Sequence, residues 1–298
     1  MKSHLALFAV NLLYGINYLV AKGLMPGVIG ANGFIFLRVT GATLLFWILL
    51  SFRYEKIKPG DVLRIILCGI FGVGINQLLF FNGLSLTSPV NASVIMVTTP
   101  ILVLLLSLIF VKEKVNLTQI IGVLLGGLSA IIFSMQNAEG TSATTLGDLL
   151  IMLNAASYAI YLIMVKPLMA KYNALTVITW VFTFGLVVVL IWPPAWNELP
   201  HVAWQDMSTT TLAKIIFVVA GVTFLPYLLM VYAMKKVNAT VAAVYIYIQP
   251  VLATIFVFMY ASLGLENYTA DINMIKLLCT LFIFIGVYLV IRPQKVRA

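Results

Sequence analysis

Hydrophobic residues form ten long stretches along this chain, separated by short polar segments. A helix needs about 20 mostly apolar residues to cross roughly 30 Å of bilayer hydrocarbon. The pattern therefore predicts ten spans, near residues 4–24, 31–52, 62–84, 89–111, 116–136, 146–169, 174–193, 212–234, 239–261 and 275–292. Of the 298 residues 62% are apolar and 9% are charged, which places the chain in a bilayer. The predicted fold is an all-α integral membrane protein.

The positive charges are distributed unevenly over the loops. Short cytoplasmic loops collect lysine and arginine. One side of the predicted bundle carries Lys2, Arg53, Lys56, Lys58, Arg64, Lys112, Lys114, Lys166, Lys171, Lys235, Lys236, Arg292, Lys295 and Arg297. The other side carries only Lys22, Lys214 and Lys276. Both termini are therefore predicted to be cytoplasmic, and the net charge of +9 reflects topology more than an affinity for nucleic acid.

The second five spans repeat the first five. Tyr14-Gly15-Ile16 corresponds to Tyr158-Ala159-Ile160, and further along Pro100 corresponds to Pro250 and Ala92 to Ala242. Because each unit has an odd number of spans, the two units, residues 1–137 and 138–298, are predicted to have opposite orientations in the membrane. Inverted repeats are a recurring plan of secondary transporters, which alternate between two similar states around a site near the midplane.

Several short motifs are distributed over the two halves. They are Leu13-Tyr14-Gly15 with Lys22, Arg38, Asn82-Gly83-Leu84, Asn91-Ala92, Thr99-Pro100, Lys112-Glu113-Lys114, Gln119 to Gly122, Tyr232-Ala233-Met234, Ala242, Gln249-Pro250 and Gly286. With these residues the chain resembles the drug/metabolite transporter (DMT) superfamily, and specifically its ten-helix members built from two EamA domains. Two features depart from the family pattern. Tyr14 stands where a tryptophan is usual, and extra residues between 262 and 275 obscure the match at Glu266.

The resemblance implies a central cavity lined by the first, third, fourth, sixth, eighth and ninth spans, with the fifth and tenth more peripheral. It also implies transport of small organic solutes, among them amino acids, other metabolites and drugs. An outward direction of transport follows from the resemblance alone.

Polar residues at helical spacing support such a cavity independently. In the first span Asn11, Tyr14, Tyr18 and Lys22 share one helix face, because they are three or four residues apart. Polar side chains in hydrocarbon usually face the bundle interior or water, although some only join helices by hydrogen bonds. The candidate substrate-binding residues are Asn11, Tyr14, Tyr18, Asn76, Asn91, Thr98, Asn154, Tyr158, Tyr161, Tyr227, Tyr245 and Gln249.

Two prolines and two basic residues have a functional and a structural interpretation each. Pro100 and Pro250 remove a backbone donor, so they either act as hinges or are tolerated kinks. Arg38 lies inside the second span. Its functional interpretation is that it attracts an anionic group or gates the outer entrance. Its structural interpretation is that it snorkels or caps carbonyls of a neighbouring helix. Lys22 is assigned a gating or electrostatic role, with snorkelling as its alternative.

Other classes of function receive little support. The chain has two histidines and two cysteines, Cys68 and Cys279, and they form neither a metal site nor a catalytic cluster, so we expect no enzyme, no metal and no cofactor. A phosphate-binding glycine loop is absent, which argues against ATP hydrolysis. No aspartate or glutamate lies deep in a predicted span, and Asp148 is the nearest candidate for proton coupling. This absence favours facilitated diffusion or exchange.

The sequence thus predicts a secondary transporter in the cell inner membrane. Tyrosines and amides without a buried acid suit a neutral or zwitterionic amphipathic solute, with an amino acid as the best candidate. Anionic or phosphorylated metabolites, or a channel or sensor, remain alternatives. The expected partners are a small-molecule substrate and the lipid bilayer, with no nucleic acid, and the chain is a monomer or a homodimer.

Overall fold

The computed structural model of the chain describes residues 2–25, 27–52, 55–110, 116–136, 143–234, 245–265 and 267–291. Within these residues the only regular secondary structure is helical, which agrees with the predicted all-α architecture. The helices pack around buried apolar side chains drawn from both halves of the chain. Predictions that concern Ala242 and Glu266 fall outside the described residues.

The helices are numbered here in chain order. The first half contains α1 (Lys2–Leu24), α2 (Ala31–Ser51), α3 (Pro59–Gly69), α4 (Ile75–Leu86), α5 (Pro89–Met96), α6 (Thr99–Phe110) and α7 (Leu117–Ser134). The second half contains α8 (Thr145–Lys171), α9 (Ala174–Ile191), α10 (Pro193–Asn197), α11 (Thr209–Ile216), α12 (Leu225–Met234), α13 (Ile248–Ser262) and α14 (Met274–Ile291). Two π-helical segments join α3 to α4 and α11 to α12 without a break; they are Ile70–Gly74 and Phe217–Phe224.

The predicted spans can be compared with these helices. In the described part of the chain, eight helices are long and apolar enough to cross a membrane, and they coincide with the first eight predicted spans. Two shorter apolar helices, α13 and α14, coincide with the ninth and tenth predicted spans. The count of ten spans and the side of the termini stay predictions.

The fourth predicted span is interrupted in its middle. A turn at Val97 and Thr98 separates α5 from α6, and Pro100 occupies the second position of α6. Proline has no N–H to donate to the carbonyl of Met96, four residues earlier. The Thr99 hydroxyl donates to that carbonyl instead, at 2.6 Å. The interruption is thus compatible with hydrocarbon, where an unsatisfied backbone group is costly.

The π-helical segments occupy corresponding places in the two halves. One begins at Ile70 in the third span and the other at Phe217 in the eighth, 147 positions later. A π-helical turn shifts the hydrogen-bonding register of the helix and occurs frequently at functional sites. Hydrophobicity does not reveal these segments, and the sequence analysis did not predict them.

Glycines allow α7 and α14 to pack closely at the edge of the bundle. A Cβ on Gly286 would lie 2.6 Å from both the carbonyl oxygen of Gly122 and the backbone nitrogen of Gly126. Small residues let helices approach in membranes, where packing rather than the hydrophobic effect joins them. Gly127 differs from its neighbours, because nothing lies within 4 Å of a Cβ built there. Glycine within a span is typical of a close-packing position, but Gly127 is not one among the described residues.

The loop after α9 is fixed to the start of α2. The carboxylate of Glu198 accepts the backbone N–H of Gly33 at 2.8 Å and the side-chain amide of Asn32 at 2.7 Å. A negative charge is favourable at a helix N-terminus, where backbone N–H groups lack partners. These contacts attach the N-terminal end of the second span to the loop after α9. This end lies at the end of the bundle opposite the start of α1.

The close approach of α7 and α14 can be tested by Gly286→Ala. The added methyl group would contact backbone atoms that cannot move aside, so we expect the free energy of unfolding to fall by about 1–3 kcal/mol. Thermal unfolding of the purified protein in detergent measures the change. Gly127→Ala is the matched control and should leave stability unchanged or slightly raised, because alanine favours a helix more than glycine does. Equal losses in the two variants would contradict this packing.

The interruption before α6 can be tested by Thr99→Val. Valine keeps the shape of threonine but leaves the Met96 carbonyl without its donor, and we expect a loss of stability of about 1–2 kcal/mol. The control is Thr176→Val, since the Thr176 hydroxyl is fully buried and has no hydrogen-bond partner within the described residues. That substitution should be neutral or stabilising by the same thermal assay. A neutral Thr99→Val would show that the hydroxyl does not stabilise the turn.

Candidate substrate cavity

A cavity of about 100 Å³ lies inside the bundle, between helices from both halves of the chain. It borders the middle of α1, and its volume is below the range typical of pockets for drug-sized ligands. In this conformation it suits a small solute. The lining residues are Asn11, Tyr14, Asn17, Tyr18, Arg38, Asn76, Gln77, Phe80, Phe81, Met96, Asn154, Tyr158, Tyr227, Met230, Ile246 and Gln249.

A chain of hydrogen bonds joins α1 to α13 along one wall. The Tyr18 hydroxyl donates to Oε1 of Gln249 at 3.0 Å, and Nε2 of Gln249 donates to Oδ1 of Asn11 at 2.8 Å. Nδ2 of Asn11 in turn donates to the carbonyl of Leu7 at 2.8 Å. Buried polar groups that satisfy one another in this way fix the orientation of their side chains. This wall is therefore preorganised.

Arg38 contributes the positive charge of the cavity. Its side chain is 4% exposed and lies on the second turn of α2. It donates to Oδ1 of Asn17 at 3.4 Å and to the carbonyl of Val222 at 3.5 Å, and its guanidinium lies 4.6 Å from the centre of the Phe81 ring. The Val222 carbonyl belongs to the second π-helical segment, and Pro226, four residues later, has no N–H to offer it. Both hydrogen bonds are at the long end of the usual range.

A reciprocal pair of asparagines joins α4 to α8. Nδ2 of Asn154 donates to the backbone carbonyl of Asn76 at 2.8 Å, and Nδ2 of Asn76 donates to that of Asn154 at 3.4 Å. One turn away, the Ser157 hydroxyl donates to the carbonyl of Phe71 in the first π-helical segment at 2.7 Å. These bonds hold the third span against the sixth.

Three buried atoms of the lining residues have no hydrogen-bond partner in the described structure. They are Nε of Arg38, Oε1 of Gln77 and Oδ1 of Asn154, and each of these residues is at most 5% exposed. A buried polar atom without a partner costs free energy. One donor and two acceptors of the lining residues are thus left unsatisfied within the described structure.

Aromatic and apolar side chains complete the wall. The rings of Tyr18 and Phe80 lie 5.6 Å apart, and Tyr158 stacks on Tyr161 at 5.8 Å. Met96 and Met230 add flexible apolar surface. The cavity can therefore contact an apolar body as well as polar groups.

Most of the residues predicted for the site border this cavity. The lining residues come from the first, third, sixth, eighth and ninth predicted spans, together with Met96 from the fourth and Arg38 from the second. The described residues of α7 and α14 do not line it. The predicted residues that the structure brings together are Asn11, Tyr14, Tyr18, Arg38, Asn76, Asn154, Tyr158, Tyr227 and Gln249.

Four predicted residues lie outside the cavity. Nζ of Lys22 donates to the carbonyl of Ser85, near the end of α4, at 2.7 Å, as basic residues often do at helix C-termini. The Thr98 hydroxyl donates to the carbonyl of Ile95 at the interruption of the fourth span. The Tyr161 ring stacks on Tyr158 and packs against Gly72. The Tyr245 hydroxyl pairs with Nδ1 of His4 at 2.9 Å, at the start of α1.

Asn91, the fifth predicted residue outside the cavity, belongs to a separate buried network. Its Nδ2 donates to the carboxylate of Asp148 at 3.0 Å, and Nζ of Lys276 donates to its Oδ1 at 3.0 Å. The Thr87 hydroxyl also donates to Asp148. Lys276 is 2% exposed and Asp148 is 1% exposed. Lys276 lies in the first turn of α14, within the tenth predicted span, and its side chain is buried in this network.

The hinge candidates lie in comparable positions. Pro100 is the second residue of α6, after the turn, and Pro250 is the third residue of α13, after the 3₁₀ turn Tyr245–Tyr247. Each proline thus stands in the first turn of an α-helix, where it is tolerated. Their role as hinges stays a prediction.

Two polar residues of the cavity, Asn17 and Gln77, were not among the predicted site residues, and neither was Pro226, which is not a lining residue. Asn17 lies three residues after Tyr14, so helical spacing could have identified it. Gln77 lies beside the predicted Asn76, and only the packing of α4 shows that both border the cavity. Pro226 was overlooked although a proline within a span predicts a carbonyl in need of a donor.

The structure offers no site for a metal within the described residues. No group of three or more histidine, cysteine, aspartate or glutamate side chains lies close enough together there to hold a metal ion. Cys68 and Cys279 are buried and unpaired, as predicted for core residues.

Comparison with known proteins agrees with this architecture. A relative in Archaeoglobus fulgidus, described as an uncharacterized transporter, is 28% identical over 218 residues, which cover 73% of this chain and 75% of that protein. The uncharacterized transporter YetK of Bacillus subtilis is 25% identical over 260 residues, 86% of this chain and 78% of that protein. A solved crystal structure shares the fold, with a TM-score of 0.59 at 18% identity, and covers 96% of this chain and 95% of its own.

A family model gives the assignment. The model of the EamA-like transporter family matches residues 1–135 and 145–292, nearly the whole chain. Family membership points to a transporter rather than an enzyme, and with several apolar helices of membrane-spanning length the inner membrane is the expected location. The chain belongs to the EamA-like transporter family and is a multi-pass membrane protein.

Proposed function

We propose that this protein is a secondary transporter that exports a small amphipathic metabolite, an amino acid or a related solute, by alternating access. Its two inverted units, residues 1–137 and 138–298, each contribute five spans, and both termini are cytoplasmic. The solute binds in the cavity described above. Export as the direction rests on the resemblance to the DMT superfamily.

The three unpartnered polar atoms of the cavity carry this proposal. Arg38 offers a donor and a positive charge, while Gln77 and Asn154 offer acceptors, and no acidic side chain is among the lining residues. A carboxylate suits the guanidinium because such charge-assisted hydrogen bonds are strong. An ammonium or amide N–H suits the two carbonyl oxygens. A solute that carries both groups is zwitterionic, and its apolar part can contact Phe80, Met96 and Met230.

Alternating access is supported by features that recur in both halves. The third and eighth spans each contain a π-helical segment, and Pro100 and Pro250 each follow a non-α segment. Discontinuous helices in repeated units are typical of transporters whose site lies at the midplane. Such segments can change hydrogen-bonding register at low cost, which gives each unit two arrangements.

A second candidate substrate is an anionic or phosphorylated metabolite. It is favoured by Arg38, a buried charge that no carboxylate among the lining residues neutralises. This candidate uses the guanidinium and needs no ammonium group, because hydroxyl groups of such a metabolite can donate to Gln77 and Asn154. The two candidates therefore differ in whether an N–H donor on the solute is required.

Substrate counterflow in proteoliposomes tests the proposal. Vesicles are preloaded with unlabelled amino acids, and entry of labelled aromatic and aliphatic amino acids is followed. We expect transient accumulation by the wild type and none by Tyr158→Ala, which removes part of the cavity wall. Label that equilibrates without transient accumulation would indicate a channel. If no amino acid accumulates but phosphorylated metabolites do, the second candidate replaces the first.

The role of Arg38 is tested by competition in the same assay. We expect an amino-acid amide, which lacks the carboxylate, to compete about 10-fold to 100-fold more weakly than the free amino acid in the wild type. Arg38→Gln should weaken the free acid by that factor and abolish the preference for it over the amide. Arg64→Gln, an exposed arginine outside the cavity, is the control and should keep the preference. An Arg38→Gln variant that weakens both compounds equally would indicate a structural role only.

A further inference from the structure

A second cavity, which the transport mechanism above does not use, lies at the basic end of the bundle. Its volume is about 310 Å³, and it is a groove between the segment that precedes α3, α3 itself and the first half of α9. It is separate from the substrate cavity, since the two share no lining residue. Its lining residues are Lys56, Ile57, Val62, Ile65, Trp180 and Phe184.

The segment that forms the rim of the groove is held in place by the corner between α8 and α9. The carboxylate of Glu55 accepts the backbone N–H of Asn173 at 2.9 Å, and the Tyr172 hydroxyl accepts the backbone N–H of Lys58 at 3.0 Å. The same hydroxyl donates to Asp61 at 2.8 Å. The rim is therefore a built structure and not a free loop.

The same contacts leave the rim positively charged. Asp61 forms an ion pair with Lys171 at 2.8 Å, and the carboxylate of Glu55 accepts a backbone N–H. Both acidic side chains of this region thus have partners. The side chains of Lys56, Lys58 and Arg64 are exposed and lack an acidic partner there. Lys56 is the one whose side chain lines the groove.

The floor of the groove is apolar and contains one unsatisfied donor. Trp180 is fixed between Trp47, with ring centroids 5.2 Å apart, and Phe184, at 5.9 Å. Its indole N–H is buried and has no hydrogen-bond partner in the described structure. Because Trp180 lies six residues after the start of α9, the floor reaches about 9 Å along the helix from the basic end. The groove combines a cationic rim, a long apolar floor and a lone donor.

We propose that this groove binds an anionic phospholipid from the adjacent leaflet, which the loop charges predict to be the cytoplasmic one. The lipid phosphate lies at Lys56, an oxygen of the headgroup or ester region accepts the Trp180 N–H, and an acyl chain covers Ile57, Val62 and Phe184. Basic pockets between membrane helices on the cytoplasmic side are suited to anionic headgroups. A free phosphate ion would satisfy the lysine but would leave the apolar floor uncovered.

Native mass spectrometry of the full-length protein tests this site, with phosphatidylglycerol and phosphatidylcholine as probes. We expect tighter binding of phosphatidylglycerol, and a loss of about fivefold in its affinity in Lys56→Gln. Lys58→Gln is the matched control, because it removes the same charge two residues away from a side chain that does not line the groove. It should change the affinity much less. Trp180→Phe keeps the ring, removes the donor, and should also weaken phosphatidylglycerol binding.

Three outcomes would overturn the proposal. Equal losses in Lys56→Gln and Lys58→Gln would mean that the lipid responds to the general charge of this face. Equal binding of the two lipids by the wild type would exclude headgroup recognition. Displacement of phosphatidylglycerol by millimolar inorganic phosphate would identify a site for the free anion. Thermal unfolding of each variant verifies that it is folded, and Trp180→Phe tests the site independently should Lys56→Gln be unstable.

Discussion

Every backbone polar group inside the hydrocarbon must find a partner within the protein, and the architecture of this chain depends on that constraint. Continuous α-helices meet it by themselves, whereas the interrupted ones need outside donors. The Met96 carbonyl receives the Thr99 hydroxyl, the Phe71 carbonyl receives Ser157, and the Val222 carbonyl receives Arg38. Three carbonyls at these irregular segments thus each accept a hydrogen bond from a polar side chain. The irregular segments and the polar residues of the bundle are therefore two aspects of one arrangement.

The sequence predicted the spans well because span length is set by the thickness of the bilayer, which hydrophobicity records directly. Helix ends lie within a few residues of prediction for the first eight spans. The π-helical segments were not predictable in the same way, because a change of hydrogen-bonding register alters neither composition nor length. Pro226 was the available signal, since its missing N–H implies a carbonyl that must be satisfied elsewhere.

For the site, helical spacing correctly grouped residues on one helix face. It could not predict which residues of that face border the cavity and which contact a neighbouring helix. Tyr158 and Tyr161 lie on the same side of α8, yet Tyr158 borders the cavity while Tyr161 packs against Gly72. Asn91 was expected at the cavity as a polar residue in a span, and it instead joins Lys276 to Asp148. Such distinctions depend on how neighbouring helices are rotated, which long-range packing decides.

Under the proposed function, the incomplete pairing of Arg38 would connect the structure to transport. A solute can shift an equilibrium between two conformations only if it binds them with different affinity. Here the guanidinium is held by two long hydrogen bonds, and one of them ends on the carbonyl of Val222 in a π-helical segment. An anionic group that binds Arg38 competes with that carbonyl for the guanidinium, so occupancy of the cavity and the geometry of the eighth span are linked through one side chain. The first π-helical segment lacks an equivalent link, because its Phe71 carbonyl is bound by the neutral hydroxyl of Ser157. The two units, similar in sequence, would therefore respond unequally to the charge of the solute.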